Sequence, residues 1–179
     1  MNTQAEKKKN KSKWLILLLL LITLIAVVIS VWALFFRSRG SALTPDYAPV
    51  EEEKNAESIE GDSGDKLKSP QGGGSVSISY STDVSIDLSE KSAGLYFANP
   101  SKSNQDMVVQ VVIQDTILVQ SGSLKPGNQV TKLNLLEGAE KKLSPGGYDG
   151  KLVILFYDET TGEKAVVNTE IPVTIMVNP

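Results

Sequence analysis

The 179-residue sequence predicts an all-β domain, an antiparallel two-sheet sandwich, carried behind one N-terminal transmembrane helix and a disordered linker. Three observations predict it. Residues 14–36 (WLILLLLLITLIAVVISVWALFF) form an apolar run broken only by Thr23 and Ser30. Residues 76–179 alternate apolar and polar side chains with a period of two, punctuated by turn residues. No stretch after Phe36 keeps a helical period, and Leu136–Leu143 (LEGAEKKL) supports one helical turn at most.

The apolar run comes first. At 1.5 Å of rise per residue it spans roughly 34 Å, enough to cross a hydrocarbon core of about 30 Å. Lys7, Lys8, Lys9, Lys11 and Lys13 precede it, and only Arg37 and Arg39 follow closely. Positive flanks stay in the cytoplasm, so the N-terminus is expected inside and the rest of the chain outside. Trp14 and Trp32 sit near the two expected membrane interfaces, and Phe35 and Phe36 close the run. A cleavable signal peptide has a shorter apolar core and small residues at its cleavage site. Here Phe35, Phe36 and Arg37 stand where those residues belong, so an uncleaved signal anchor is expected. Ala26 and Ser30 make one small-xxx-small pair, a weak basis for helix pairing.

Four segments follow from composition: a basic tail (1–13), the anchor (14–36), an acidic Gly-rich linker (37–75) and the β domain (76–179). Within residues 38–75, eight acids face four basic residues, and the segment ends in Gln71-Gly-Gly-Gly-Ser75. Apolar residues there are sparse and aperiodic, which predicts a flexible tether. Its glycines lack the Gly-Lys-Ser/Thr that a phosphate loop needs. The β domain carries eight lysines against twelve acids, and an acidic surface argues against a nucleic-acid partner. The basic tail sets topology, and anionic inner-leaflet lipid is its other available partner.

Eight strands are expected. Val76, Ile78 and Tyr80 mark the first, and Val84, Ile86 and Leu88 the second. Leu95 and Phe97 mark the third, closed by the turn pair Asn99-Pro100. Met107, Val109, Val111 and Ile113 read as a central strand with one face fully buried. Ile117–Val119 is short. Pro126-Gly127 suits the central positions of a type II turn, because Pro fixes negative φ and Gly accepts positive φ. Leu133 and Leu135 follow, then Leu152, Ile154 and Phe156. The last strand runs from Val167 to Val177 after the polar hairpin loop Asp158–Glu163.

The stretch from Leu143 to Tyr157 (LSPGGYDGKLVILFY) resembles the approach to the sixth strand of an immunoglobulin-like domain. That resemblance implies that the Tyr148 hydroxyl ties down the preceding corner. Together with Asn99–Asn104 and Leu124–Gly127, the stretch resembles the immunoglobulin-like modules repeated on bacterial surface proteins, over about residues 88–177. The paired cysteines and core tryptophan of antibody domains are missing, so no antibody-type function is implied. The whole layout is similar to small envelope proteins of Gram-positive bacteria, which implies a location but no activity.

The chemistry available is narrow. The chain has no histidine and no cysteine, which removes the commonest general base, the commonest metal ligand and every thiol nucleophile. Ser63 and Lys66 have S-x-x-K spacing, but a flexible tether offers nothing to activate the lysine. Asp83 and Asp87 share a strand parity, and read as solvated residues opposite Val84 and Ile86. Asp158, Glu159 and Glu163 are oxygen ligands of the kind calcium takes, but an exposed polar hairpin is the preferred account of them. Sugar binding usually needs exposed aromatic rings. Tyr80, Tyr96, Tyr148 and Tyr157, with Phe97 and Phe156, read instead as core or corner residues. No enzyme, cofactor or small-molecule substrate is expected. The expected function is an extracytoplasmic interaction or structural module with an envelope protein partner. An accessory subunit of a secretion, adhesion or wall-assembly complex is the alternative, and a small glycan-binding or hydrolytic domain is more remote. The loop Pro100, Ser101, Lys102, Ser103, Asn104 is the candidate contact surface, since loops on a rigid scaffold carry contacts.

Overall fold

The computed structural model describes residues 13–27, 45–69 and 73–179. The chain divides into two units, residues 1–42 and 43–179. In the first unit, an α-helix covers residues 13–27, and its side chains are exposed throughout. Among the described residues, no helix is long and apolar enough to cross a membrane. The remainder of the expected anchor, residues 28–36, lies outside the described residues.

Among the described residues, the second unit is a curled nine-stranded sheet. In chain order its strands are β1 (Glu57–Ser58), β2 (Ser79–Tyr80), β3 (Asp83–Asp87), β4 (Ser92–Asn99), β5 (Gln105–Ile113), β6 (Thr116–Gln120), β7 (Asn128–Asn134), β8 (Gly146–Asp158) and β9 (Thr169–Asn178). The spatial order is β1-β7-β4-β3-β9-β8-β5-β6, with β2 also on β4. A strand stands at each of the eight expected places, the first cut to Ser79–Tyr80 with Val76 and Ile78 outside it, and the ninth, β1, comes from the expected linker. The strictly antiparallel two-sheet expectation needs correcting. β3 pairs antiparallel with β4 but parallel with β9, from Asp83↔Thr174 to Asp87↔Asn178. It therefore joins both layers into one continuous sheet.

Alternation explains the core. Val84, Ile86, Phe97, Val109, Leu133, Ile154, Ile175 and their neighbours on the inner faces form one buried cluster. β5 is buried on both faces, not one. Met107, Val109 and Val111 enter the main core, while Val108 and Val112 join Val153, Leu155 and Tyr157 in a second cluster beside Ala48 and Ile117. Gly150 lets the sheet close up there, since a Cβ would lie 2.8 Å from the Val112 carbonyl oxygen. β5 and β6 are joined by Gln114 and Asp115, both at positive φ, as a two-residue hairpin of right-handed twist demands.

Several turns form as the sequence indicates. Gly127 has φ 87°, and Asn128 N donates to Lys125 O across Pro126-Gly127. A single 3-10 turn occupies Ala139–Lys142. The last strand starts later than expected, at Thr169, and leaves Val167 exposed. The Tyr148 hydroxyl donates to Ser144 O at 2.9 Å, the corner that the resemblance implied. Replacing Tyr148 by Phe is expected to lower stability by about 1 kcal/mol, the net value of one hydrogen bond. A urea titration checks this through a lower midpoint at an unchanged m-value.

The largest correction concerns the linker. Residues 45–69 do not hang free but run as a strap over one pole of the sheet. Ala48 N donates to Gly162 O, Glu53 N to Ser123 O, Ile59 N to Gly127 O and Leu67 N to Lys102 O. β1 pairs with the edge of β7 at Asn128 and Gln129. The cause is backbone pairing: these peptide groups find partners on the domain, so order does not require the strap to bury a core of its own.

Candidate functional site

Three connections meet at the strapped pole: β4 to β5, β6 to β7, and β8 to β9. The first is the expected contact loop. It begins with a turn in which Ser103 N donates to Pro100 O. The strap and the residues after it then cover it. The Asp62 carboxylate accepts from Ser101 N at 2.6 Å and from Ser101 Oγ at 3.0 Å. Lys66 Nζ donates to Ser103 O at 2.8 Å and pairs with Glu159 at 3.1 Å. The buried Ser103 hydroxyl accepts from Ser77 N and donates to Ser77 O. Asn104 accepts from Ser75 N at 2.7 Å, and its amide reaches Leu67 O and Ser69 Oγ. Of the five loop residues, Lys102 is the exposed one, while Pro100, Ser101 and Asn104 are half-buried. The loop's first contact is therefore this chain's own strap.

Lys66 does not act as an S-x-x-K base, because its ammonium is held by a carbonyl and a carboxylate. Of the expected membrane and topology residues, Trp14 and Lys13 lie exposed in the 13–27 helix. Trp32, Phe35, Phe36, Lys7, Lys8, Lys9 and Lys11 lie outside the described residues.

Beneath the strap sits a buried polar group. The Asp106 side chain, 3% exposed, pairs with Lys125 Nζ at 2.6 Å and accepts from Ser123 Oγ at 3.2 Å. This hydrogen bond to Asp106 raises the Lys125 pKa, with Glu52 of the strap and Glu159 adding to it. Nearby, the Asn99 amide donates to Gln105 O and Leu124 O and so ties β4 to the ends of two other segments. Among the described residues, no cluster of carboxylates could hold a metal ion.

The β8–β9 hairpin is closed by Asp158, whose carboxylate accepts from Thr161 N and Thr160 N. Those bonds favour the charged form and lower its pKa. A carboxyl lowered on folding stabilises the fold above its unfolded pKa of about 3.9, and that stability is lost as pH falls through the lowered value. Asp87 behaves alike, held by Glu90 N and then by Ser89 Oγ. Both turns are expected to hold from neutral pH down to about 4 and to loosen in stronger acid. The amide shifts of Glu90, Thr160 and Thr161 across an acid titration report this.

A groove of about 460 Å³ separates the strap turn from the outer face of β2 and β4. Its lining includes Tyr96, Ser77, Ser79, Glu60, Ser63 and Lys102. The turn from Ile59 to Asp62 puts Gly61 at φ 70°, and Asp62 N donates to Ile59 O. Tyr96 is 36% exposed on the groove. Sequence reasoning placed it in the core because it lies beside Leu95 and Phe97. The parity of β4 did point Tyr96 outward, and the segment Gly61-Asp-Ser-Gly64 was the available signal for the opposite wall.

No family model and no curated protein matches the chain. Among solved structures, it is similar to AggA, the major subunit of aggregative adherence fimbriae type I from Escherichia coli. That likeness has a TM-score of 0.33 and 9% identity over 63% of this chain and 100% of that one. It is also similar to the CooA pilin subunit of enterotoxigenic Escherichia coli, with a TM-score of 0.23 and 17% identity over 58% of this chain and 99% of that one.

Proposed function

We propose that the protein is a membrane-tethered, extracytoplasmic interaction or structural module of the cell envelope, with an immunoglobulin-like head and no catalytic role. The apolar run at residues 14–36 carries this reading. Its described part is a helix with large apolar side chains exposed from Trp14 to Val27, a surface that lipid would cover. The lysines before it support an inside N-terminus.

Protease added to intact cells is expected to remove the head, with no need to open the cells. Protection in intact cells and cleavage only after lysis would overturn the orientation. Exchange of residues 14–36 for an unrelated anchor is expected to leave partner cross-links in place. Their loss would favour the accessory-subunit reading, in which the helix forms part of the interface.

A further inference from the structure

We propose that the groove floored by Tyr96 is a saccharide-binding site for one or two neutral sugar units of a surface glycan. The ligand's location outside the cell rests on the membrane reading above, whereas the site itself rests on geometry. A sugar presents two kinds of surface, a face of polarised C–H groups and a rim of hydroxyls. Tyr96 meets the first need: its ring is partly exposed on the groove floor, and its negative π-face attracts such C–H groups. The rim finds hydroxyls at Ser63, Ser77 and Ser79, a carboxylate at Glu60 and an ammonium at Lys102. A volume of about 460 Å³ falls in the range of small-ligand sites. Glu60 and Lys102 carry opposite charges, and the carboxylate of Asp62 is taken up by Ser101, which suits a neutral ligand. A peptide would need a free strand edge or an apolar pocket. The floor here is the face of β2 and β4, and the lining is mainly polar.

The strap builds one wall. Asp62 locks the turn to Ser101 through two hydrogen bonds, and a Cβ added at Gly64 would lie 3.6 Å from Lys102 Cβ. Asp62 is therefore a positioning residue, with its oxygens already occupied by Ser101. The ligand is bound where two segments meet that sequence order separates by some thirty residues.

The test uses the full chain in phosphocholine micelles, which carry no sugar headgroup, with N,N′-diacetylchitobiose and cellobiose as probes. Saturation-transfer NMR is expected to show transfer to at least one disaccharide. Tyr96→Ala is expected to weaken binding at least tenfold, and Lys102→Ala, on an exposed loop residue, about threefold or more. Tyr80→Ala removes another exposed tyrosine outside the groove and is expected to leave affinity within about twofold. Asp62→Ala is expected to weaken binding while the circular dichroism of the head stays unchanged. Absence of transfer at about 10 mM of either disaccharide, ten times a Kd of 1 mM, overturns the proposal. So does equal binding by wild type, Tyr96→Ala and Lys102→Ala. Binding is read on purified protein, so a failure here is distinguishable from a failure of the cell-surface protease test.

Discussion

A Lys125→Met variant is expected to lose about 2–4 kcal/mol of folding stability, because it strands the Asp106 carboxylate under the strap. Breaking a fully buried pair costs more, but Lys125 keeps 39% of its side chain exposed, so the lower end applies. The remaining contact from Ser123 Oγ, at 3.2 Å, cannot replace an ammonium at 2.6 Å. Asp106→Leu combined with Lys125→Met should recover most of the deficit, since an apolar pair leaves no charge uncompensated. Urea titrations of the four members of this cycle measure the effect. A single-variant loss under about 0.5 kcal/mol would show that the pair is solvated in practice.

Gly122→Ala is expected to free the strap while the head stays folded. An added Cβ would lie 2.9 Å from the carbonyl oxygens of Glu51 and Glu52, and both are backbone atoms with no rotamer to retreat into. The strap must lift. It then loses the bonds from Glu53 N to Ser123 O, from Ser123 N to Glu51 O and from Gly122 N to the Glu53 carboxylate. Cleavage by a glutamate-specific protease within residues 51–60 should accelerate about tenfold or more, which corresponds to a local opening easier by about 1.4 kcal/mol. Circular dichroism of the head should hardly change, as the main core contains no strap residue among its buried members. Unchanged cleavage would mean that other contacts hold the strap without this one.

The head was legible in the sequence because its signals are local. The period-two runs of β3 and β9 report one buried face per strand, and Pro126-Gly127 and Tyr148 each specify a turn through their own chemistry. The strap was not legible, because nothing local orders it. Its composition is that of disordered chain, and its order comes from peptide groups pairing with Ser123, Gly127, Lys102 and Gly162, each far away in sequence. The burial of both β5 faces was missed for a related reason. Gln110 interrupts the apolar pattern of the second face, yet it is itself buried and bonds Gln120 on the neighbouring strand. The Tyr96 groove needed the strap in place before a concave surface existed at all.

The parallel alignment of β3 and β9 has a mechanical consequence. One strand leads back toward the N-terminal end of the chain, and the other ends the domain. Pulling apart the two ends of the head would slide these strands past each other in shear. The five registered pairs from Asp83↔Thr174 to Asp87↔Asn178 would share the load together, where an antiparallel hairpin pulled from its open end would unzip one bond at a time. The same pull would first peel off the strap, a shock absorber set in series ahead of a clamp.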